Sequence, residues 1–193
     1  MRKIETINML KNMGLKVAEA REFKATELKE MLAWANHLIE KYGTFNVRTD
    51  LPEGKKAGTN LPFIMNCTIS KLMNLVKEQG ENITYIVHQH FDVEEQVFNG
   101  TLRVINDHVI GEINDIDKTS QRVGLLNAAN IKQVCDQGTN PFFKKIKNDI
   151  LNSGQDAWFE LTAYKDGSIV YWQIVQEKIT EQIKRLFFKD QPI

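Results

Sequence analysis

The segment Trp158–Gln173, which reads WFELTAYKDGSIVYWQ, decides the fold. Its two halves are predicted β-strands, and they flank Asp166-Gly167, a dipeptide typical of two-residue hairpin turns. A type I′ turn needs positive φ at both central residues, which this dipeptide tolerates. The segment therefore predicts an antiparallel hairpin in which Tyr164 lies opposite Ile169.

The same register places Glu160 directly opposite Gln173 on one face of the hairpin, with Cβ atoms about 5 Å apart. The other face is apolar and is expected to pack on the core through Phe159, Leu161, Ala163, Val170, Trp172 and Ile174. One carboxylate and one amide oxygen can hold a hard divalent cation such as Mg²⁺, which completes its shell with water and phosphate oxygens. An ordinary hydrogen-bonded Glu–Gln surface pair is the alternative.

The rest of the sequence alternates helical and extended patterns. Apolar spacing and cap residues predict helices at 4–13, 27–42, 69–79, 128–137, 141–150 and the chain end. Strands are predicted at 17–23, 44–49, 83–89, 96–105 and 109–113, and residues 50–62 are predicted to form a loop. Leading helices, a meander of strands and a closing hairpin favour an α+β fold over a doubly wound parallel sheet.

Composition narrows the class of protein. The 193 residues include 25 basic and 25 acidic ones, so the chain is neutral and gives no electrostatic reason to bind nucleic acid. No apolar run reaches the roughly 18 residues that a membrane span needs. The two cysteines lack CxxC spacing and are typical of free thiols in a reducing compartment, so we expect a cytoplasmic protein. GxGxxG and GxxxxGK[ST] phosphate loops are missing, which disfavours Rossmann and P-loop folds.

The closing hairpin resembles the end of the ATP-binding (ATP-grasp) domain of the pyruvate phosphate dikinase and phosphoenolpyruvate synthase family. That domain ends in IEW…DGxLYxLQxRP, whose acidic residue, turn and amide match Glu160, Asp166-Gly167 and Gln173. The resemblance implies an ATP-grasp-like α+β fold with two small lobes of antiparallel sheets and flanking helices. It implies a nucleotide cleft between lobes of residues 1–80 and 81–193, with Glu160 and Gln173 as ligands of the Mg²⁺ of ATP.

A second match lies upstream, where VRTDLPEGKKAGT at residues 47–59 resembles the family's VRSS and DLPxASFAGQ. It implies that Arg48 contacts nucleotide phosphate, because a guanidinium fork at a strand end suits phosphate oxygens. It also implies that the loop contacts the nucleotide, through Lys55, Lys56 and Gly58. Aligning the chain starts puts Lys3 at the family's phosphate-contacting lysine, so Arg48 and Lys3 are the expected catalytic residues. A solvated N-terminal lysine is the alternative for Lys3.

Residues 85–91, YIVHQHF, resemble the strand that runs into the family's adenine-binding hinge. Backbone groups of Gln89, His90 and Phe91 are then expected to read the edge of the adenine, while apolar side chains hold its ring. His88 and His90 share a strand face, and they are an alternative metal-binding pair that lacks a third ligand.

One departure from the family bears on activity, since Val175 stands where the family has an arginine two residues after the glutamine. The resemblance implies a Mg-ATP-dependent phosphotransferase, or kinase, or a ligase. Its acceptor would be a phosphorylatable side chain of a partner protein or a small carboxylate. Two alternatives stay open. The chain can be a degenerate relative that binds nucleotide as a sensor or partner subunit, or an interaction module that kept the fold and lost the nucleotide.

Overall fold

A computed structural model describes residues 2–52, 61–115 and 131–175. The chain divides into two compact units, formed by Met1–Asn8 with Ala18–Phe91 and by Met9–Val17 with Asp92–Ile193. The first unit therefore continues past residue 80, where the boundary between lobes is expected. Every strand pair in the described ranges is antiparallel, which confirms the α+β class. None of the helices in these ranges is long and apolar enough to cross a membrane.

The first unit is a four-stranded sheet with helices packed against it. Its elements are α1 (Lys3–Asn12), of which the first half belongs here, β1 (Ala20–Phe23), α2 (Leu28–Tyr42), β2 (Phe45–Asp50), β3 (Phe63–Cys67), α3 (Ile69–Gln79) and β4 (Thr84–Gln89). The strand order is β1-β4-β2-β3. Side chains of α2 and α3 pack with those of β2 and β4 in one apolar cluster.

Helix α2 follows directly from its sequence. Met31, Ala35 and Leu38 recur at helical spacing and are fully buried, which gives the helix its one apolar stripe. Trp34 adds a polar anchor, because its indole Nε1–H donates to the carbonyl of Val87 at 3.0 Å. The helix ends at Gly43, whose φ of +79° is favourable only without a Cβ.

Strand β3 is absent from the sequence-based prediction, which assigns no element to residues 63–67. The segment becomes a strand because it pairs with β2, with Phe63 opposite Arg48 and Cys67 opposite Phe45. Tertiary pairing of this kind overrides weak local preference, and β-propensity alone depends strongly on such context.

The second unit is a five-stranded antiparallel sheet covered on one face by a helix. Its elements are β5 (Gln96–Ile105), β6 (His108–Asp115), β7 (Ile131–Asp136), α4 (Pro141–Ser153), β8 (Trp158–Tyr164) and β9 (Ile169–Val175), in the order β7-β6-β5-β8-β9. Residues 9–17 complete the unit. Leu10 and Leu15 are buried in its core, and the carbonyl of Lys16 accepts the N–H of Tyr171 on β9 at 2.8 Å.

The predicted helix at 128–137 is wrong where the structure describes it, because residues 131–136 form β7. Val134 lies opposite Gly111 and is buried in the core, so an extended conformation buries this residue and supplies the hydrogen bonds of β6. Residues 128–130 and the predicted C-terminal helix lie outside the described residues. Helix α4 begins as predicted, with Asn140 Oδ1 accepting the N–H of Phe142 at 2.8 Å and Pro141 at the first position.

Two glycines let β5 and β6 approach closely. A Cβ at Gly100 would lie within 3.0 Å of the Glu112 carbonyl oxygen, and a Cβ at Gly111 would lie within 3.0 Å of the Thr101 carbonyl oxygen. Gly111 also has a φ of +144°, which residues with a Cβ rarely adopt. The pairing of the two central strands therefore requires glycine at these positions.

We expect Gly111→Ala to lower the free energy of unfolding of the second unit by about 3 kcal/mol, through backbone strain and a clash with main chain. Gly154→Ala is the matched control, since it also has positive φ but open space around it, and it should cost about 1 kcal/mol. Chemical denaturation measures both. Equal losses for the two variants would contradict the requirement for close strand approach.

A charged cluster on the surface of the first unit centres on Glu19. Its carboxylate accepts hydrogen bonds from Lys41 Nζ at 2.8 Å and from the Tyr42 hydroxyl at 2.7 Å, and it lies 3.4 Å from His37 Nε2. The bonds from Lys41 and Tyr42 lower the pKa of Glu19 to about 2. The cluster ties the start of β1 to the end of α2.

This cluster predicts a pH dependence of stability. The pKa of Glu19 is lower in the folded state than the ordinary value of 4.5, so its contribution is present above pH 4.5 and is lost as the pH falls towards 2. Glu19→Gln should therefore destabilise the protein at neutral pH and have progressively less effect in acid, as measured by urea denaturation across that window. Glu78→Gln, at an exposed position of α3, is the control. A pH-independent effect of Glu19→Gln would contradict the assignment.

Candidate functional site

The turn of the β8–β9 hairpin differs from the predicted one. Only Gly167 has positive φ, at +78°, and Asp166 does not, so a two-residue type I′ turn is wrong. Instead, the Tyr164 N–H donates to the Ser168 carbonyl and the Tyr164 carbonyl accepts the N–H of Gly167, which closes a three-residue loop. Ile169 pairs with Ala163 rather than with Tyr164. A Gly in the left-handed region at the last loop position is typical of such loops. Residues near the turn are therefore one step out of the predicted register.

A β-bulge restores the predicted pairing further along the hairpin. Leu161 lies opposite Tyr171, but Glu160 lies opposite Gln173, so Trp172 is the extra residue on β9. The Trp172 indole N–H donates to Thr162 Oγ1 at 2.9 Å. Glu160 and Gln173 are cross-strand neighbours as predicted, because the longer turn and the bulge offset each other.

The three-residue turn also changes which side chains face the core. Core residues of β9 are Ile169, Tyr171 and Ile174. Val170 and Trp172, which are predicted on the core side, lie with Thr162 on the other face, and Val170 is the direct partner of Thr162. The prediction for Val170 and Trp172 is wrong because the three-residue turn shifts the register by one residue, which moves side chains to the opposite face. The bulge restores the predicted faces from Gln173 onwards.

The face opposite the core carries a row of polar residues across all five strands. Thr101 of β5 lies opposite both Glu112 of β6 and Glu160 of β8, and Gln133 and Gln173 extend the row to β7 and β9. Glu160 is half-buried, whereas Gln173 is exposed. With strands about 4.8 Å apart, Glu160 and Gln173 are close enough to share one small ligand, while Glu112 is two strands away.

The donor set of this pair fits a magnesium ion that arrives with a nucleotide. One carboxylate and one amide oxygen supply two hard oxygen ligands, and Mg²⁺ commonly takes only one or two from the protein. Within residues 2–52, 61–115 and 131–175, no three His, Cys, Asp or Glu side chains converge as a metal-binding group. A bare cation would therefore find few ligands, and phosphate oxygens would have to complete the shell.

The two expected catalytic residues both belong to the first unit. The Lys3 N–H donates to Asp50 Oδ2 at 2.9 Å, and its ammonium donates to the Thr49 carbonyl at 2.6 Å. Burial lowers the pKa of Lys3, the negative charge of Asp50 raises it, and the positive charge of Arg48 lowers it again. Lys3 is thus held against β2 beside Arg48, and it is not the freely solvated lysine of the alternative interpretation.

The expected hinge residues follow the end of β4. Gln89 donates its N–H to the Glu19 carbonyl at 2.8 Å, and His90 Nδ1 lies 3.1 Å from Asn46 Oδ1. Phe91 is half-buried at the end of the first unit. His88 is buried, with its pKa lowered to about 3 chiefly by burial, and its Nδ1 donates to a backbone carbonyl. Lys55, Lys56 and Gly58 lie outside the described residues.

Sequence reasoning missed two neighbours of the expected site residues. Thr101 lies between the two acidic positions of the polar row, and alternation along β5 could have found it. Phe63 lies beside Arg48, with the guanidinium carbon 5.4 Å from the ring centroid. No local signal marks Phe63, because β3 itself was not predicted.

Several solved structures are similar to this chain in fold. The D-alanine–D-alanine ligase of Coxiella burnetii matches with a TM-score of 0.58 and 10% identity over 97% of this chain and 52% of the ligase. A RiPP-associated ATP-grasp ligase of Chryseobacterium gregarium matches with a TM-score of 0.57 and 13% identity, over 98% of this chain and 60% of the ligase. The chain has the ATP-grasp fold. A macrocyclase of Microcystis aeruginosa, bound with a precursor peptide, matches with a TM-score of 0.55 and 12% identity, over 89% of this chain and 51% of the macrocyclase.

At these identities the likeness concerns the ATP-grasp fold alone. The chain spans about half the length of the macrocyclase and of the D-alanine–D-alanine ligase, at 51% and 52%. No family model matches the sequence, and no curated protein matches it. The expected ATP-grasp architecture is confirmed, and the matched structures above are ligases rather than dikinases.

We expect Thr162→Val to lower the free energy of unfolding by about 1 kcal/mol, because it removes the hydroxyl that accepts the Trp172 indole N–H. The bulge should loosen, which NMR would report as weaker cross-strand contacts between Glu160 and Gln173. Thr101→Val, on the neighbouring strand, is the control and should keep those contacts. Undiminished Glu160–Gln173 contacts in Thr162→Val would show that the bulge does not need this hydrogen bond.

Proposed function

We propose that this protein binds Mg-ATP and acts as an ATP-dependent ligase or phosphotransferase of ATP-grasp type. The observation that carries the proposal is the pairing of Glu160 with Gln173 on the polar face of the second-unit sheet. A carboxylate and an amide oxygen in that position suit the cation of a nucleotide. The ATP-grasp fold adds support, since the matched structures are ligases and one was solved with ADP.

The proposed metal contact has a defined chemical role. When bound, Mg²⁺ would neutralise charge on the phosphates of ATP and align them for transfer. Glu160 and Gln173 would orient the cation, and the neighbouring Thr101 hydroxyl would face the same ligand region. Another ATP-grasp ligase, which is similar to this chain with a TM-score of 0.53, was solved in complex with Mg and ADP. That complex is consistent with the proposed use of magnesium.

The proposed phosphate contacts come from the first unit. Arg48 offers a charged fork of donors, and Lys3 adds a second cation beside it. Catalysis would then rest mainly on positioning and on stabilising negative charge in the transition state. We assign the loop residues Lys55, Lys56 and Gly58 to the phosphates, and the hinge residues Gln89, His90 and Phe91 to the adenine.

The proposed acceptor is a carboxylate of a small molecule or of a peptide, or a phosphorylatable side chain of a partner protein. The matched macrocyclase was solved with a precursor peptide, and the matched RiPP-associated ligase with a leader and core peptide, which favours the peptide class for this chain. The dikinase and synthase branch is a finer proposal, supported by Gln173 in place of the acidic residue common in ligases. Val175 speaks against the complete dikinase reaction, because valine cannot supply the charge of the family's arginine.

A second candidate function is nucleotide binding without turnover, as a sensor or partner subunit. It is favoured by Val175, which replaces a charged arginine of the family, and by the single negative charge that Glu160 and Gln173 together offer a cation. Measured consumption of ATP in the presence of any carboxylate or peptide acceptor would exclude it. An interaction module without nucleotide is the third candidate, and binding of ATP would exclude that one.

The test is a thermal-shift series of the full chain with ATP, ADP and AMP, with and without Mg²⁺. Ligands that bind only the native state stabilise it by mass action, by about 2.7 kcal/mol at a hundredfold excess over the Kd. We expect Glu160→Gln and Gln173→Ala each to weaken Mg-ATP binding about tenfold or more, which corresponds to about 1.4 kcal/mol.

Gln133→Ala is the matched control, because Gln133 is an exposed amide in the same polar row at the opposite edge of the sheet. It should bind Mg-ATP like the parent. A Glu160→Gln protein with undiminished magnesium-dependent ATP stabilisation would refute the metal assignment. A parent protein that no nucleotide stabilises would refute nucleotide binding as a whole.

A further inference from the structure

Phe63 is an exposed aromatic residue in an unusual position. It lies directly opposite Arg48 in the β2–β3 pair, so both side chains share one face of the sheet. Its side chain is 44% exposed, and it is not a member of the buried core cluster of the first unit. Burial therefore does not explain why an aromatic ring stands there.

The Phe63 ring contacts the guanidinium of Arg48. The guanidinium carbon lies 5.4 Å from the ring centroid, within the range of a cation–π interaction. Arg48 is half-buried, and a planar guanidinium is well suited to lie over an aromatic face. The contact limits the positions that the Arg48 guanidinium can take relative to the ring.

The imidazole of His88 lies alongside the Phe63 ring. The Phe63 and His88 rings lie parallel, at 4°, with centroids 6.4 Å apart. His88 is itself fixed, since it is 3% exposed and its Nδ1 donates to the Gln89 carbonyl at 2.8 Å. Burial, and then the charge of Arg48, lowers its pKa to about 3, so the imidazole is neutral at physiological pH and does not repel the guanidinium.

We propose that Phe63 is a positioning residue that pre-orients the Arg48 guanidinium for an anionic ligand, namely the phosphates of a nucleotide. This inference rests on the proposed phosphate role of Arg48. In this arrangement His88 supports the Phe63 ring, and the ring supports the Arg48 guanidinium. Only the arginine touches the ligand. A pre-oriented cation loses less conformational entropy on binding than a mobile one.

The test compares ATP with adenosine, because only ATP carries phosphates. In the full chain, Phe63→Leu should weaken ATP binding roughly two- to fivefold, the effect of a cation–π contact at an exposed site, and leave adenosine binding unchanged. Phe63→Tyr should restore parental affinity, since it keeps the aromatic face. Met73→Ala, which removes another exposed apolar side chain of the first unit, is the control and should change neither ligand.

An Arg48→Ala background separates this inference from the function it rests on. Phe63→Leu should have no further effect on ATP binding once Arg48 is gone. An equal loss in that background, an equal loss for adenosine, or no loss at all would overturn the positioning role. If Arg48→Ala binds ATP as well as the parent, the phosphate assignment of Arg48 fails, and the inference fails with it. Melting temperatures without ligand check that each variant folds.

Discussion

The bulge at Trp172 is the constraint on which the candidate site depends. Without it, the three-residue turn would leave Gln173 one position away from Glu160, on the wrong face of β9. The hydrogen bond from the Trp172 indole to Thr162 lies at this bulge and links the two strands across it. A single extra residue thus decides whether a carboxylate and an amide share one face, and bulges commonly re-aim side chains in this way.

Much of the fold could be predicted because the signals are local. Helix α2 has a clean apolar stripe and a glycine end, and α4 has an Asn-Pro start. Strands β3 and β7 could not be predicted, because each exists through its partner: β3 through β2, and β7 through β6. Their own sequences do not alternate clearly enough to reveal pairing at long range.

The sequence predicts the pairing of Glu160 with Gln173 correctly, but through two errors that cancel. The loop at Asp166-Gly167 has three residues rather than the two that the sequence predicts, and the sequence does not predict the bulge at Trp172. Glu160 and Gln173 are paired all the same. Lys3 and Arg48 are neighbours because α1 begins against β2, a contact between segments 45 residues apart that no local pattern encodes. The role of Phe63 could not be predicted, because it depends on contact with Arg48 across the β2–β3 pair.

The short segment of residues 9–17 has a consequence for how the chain can be divided. The chain passes from the first unit into the second, back to the first and again to the second. A polypeptide starting at Asp92 would lack Leu10 and Leu15, which fill the core, and the Lys16 carbonyl, which occupies the outer margin of β9. A cut after Phe91 therefore keeps every residue of the first unit in one fragment but takes residues 9–17 away from the second unit. During synthesis, residues 9–17 leave the ribosome before Asp92, so this part of the second unit is made well before the strands that it packs against.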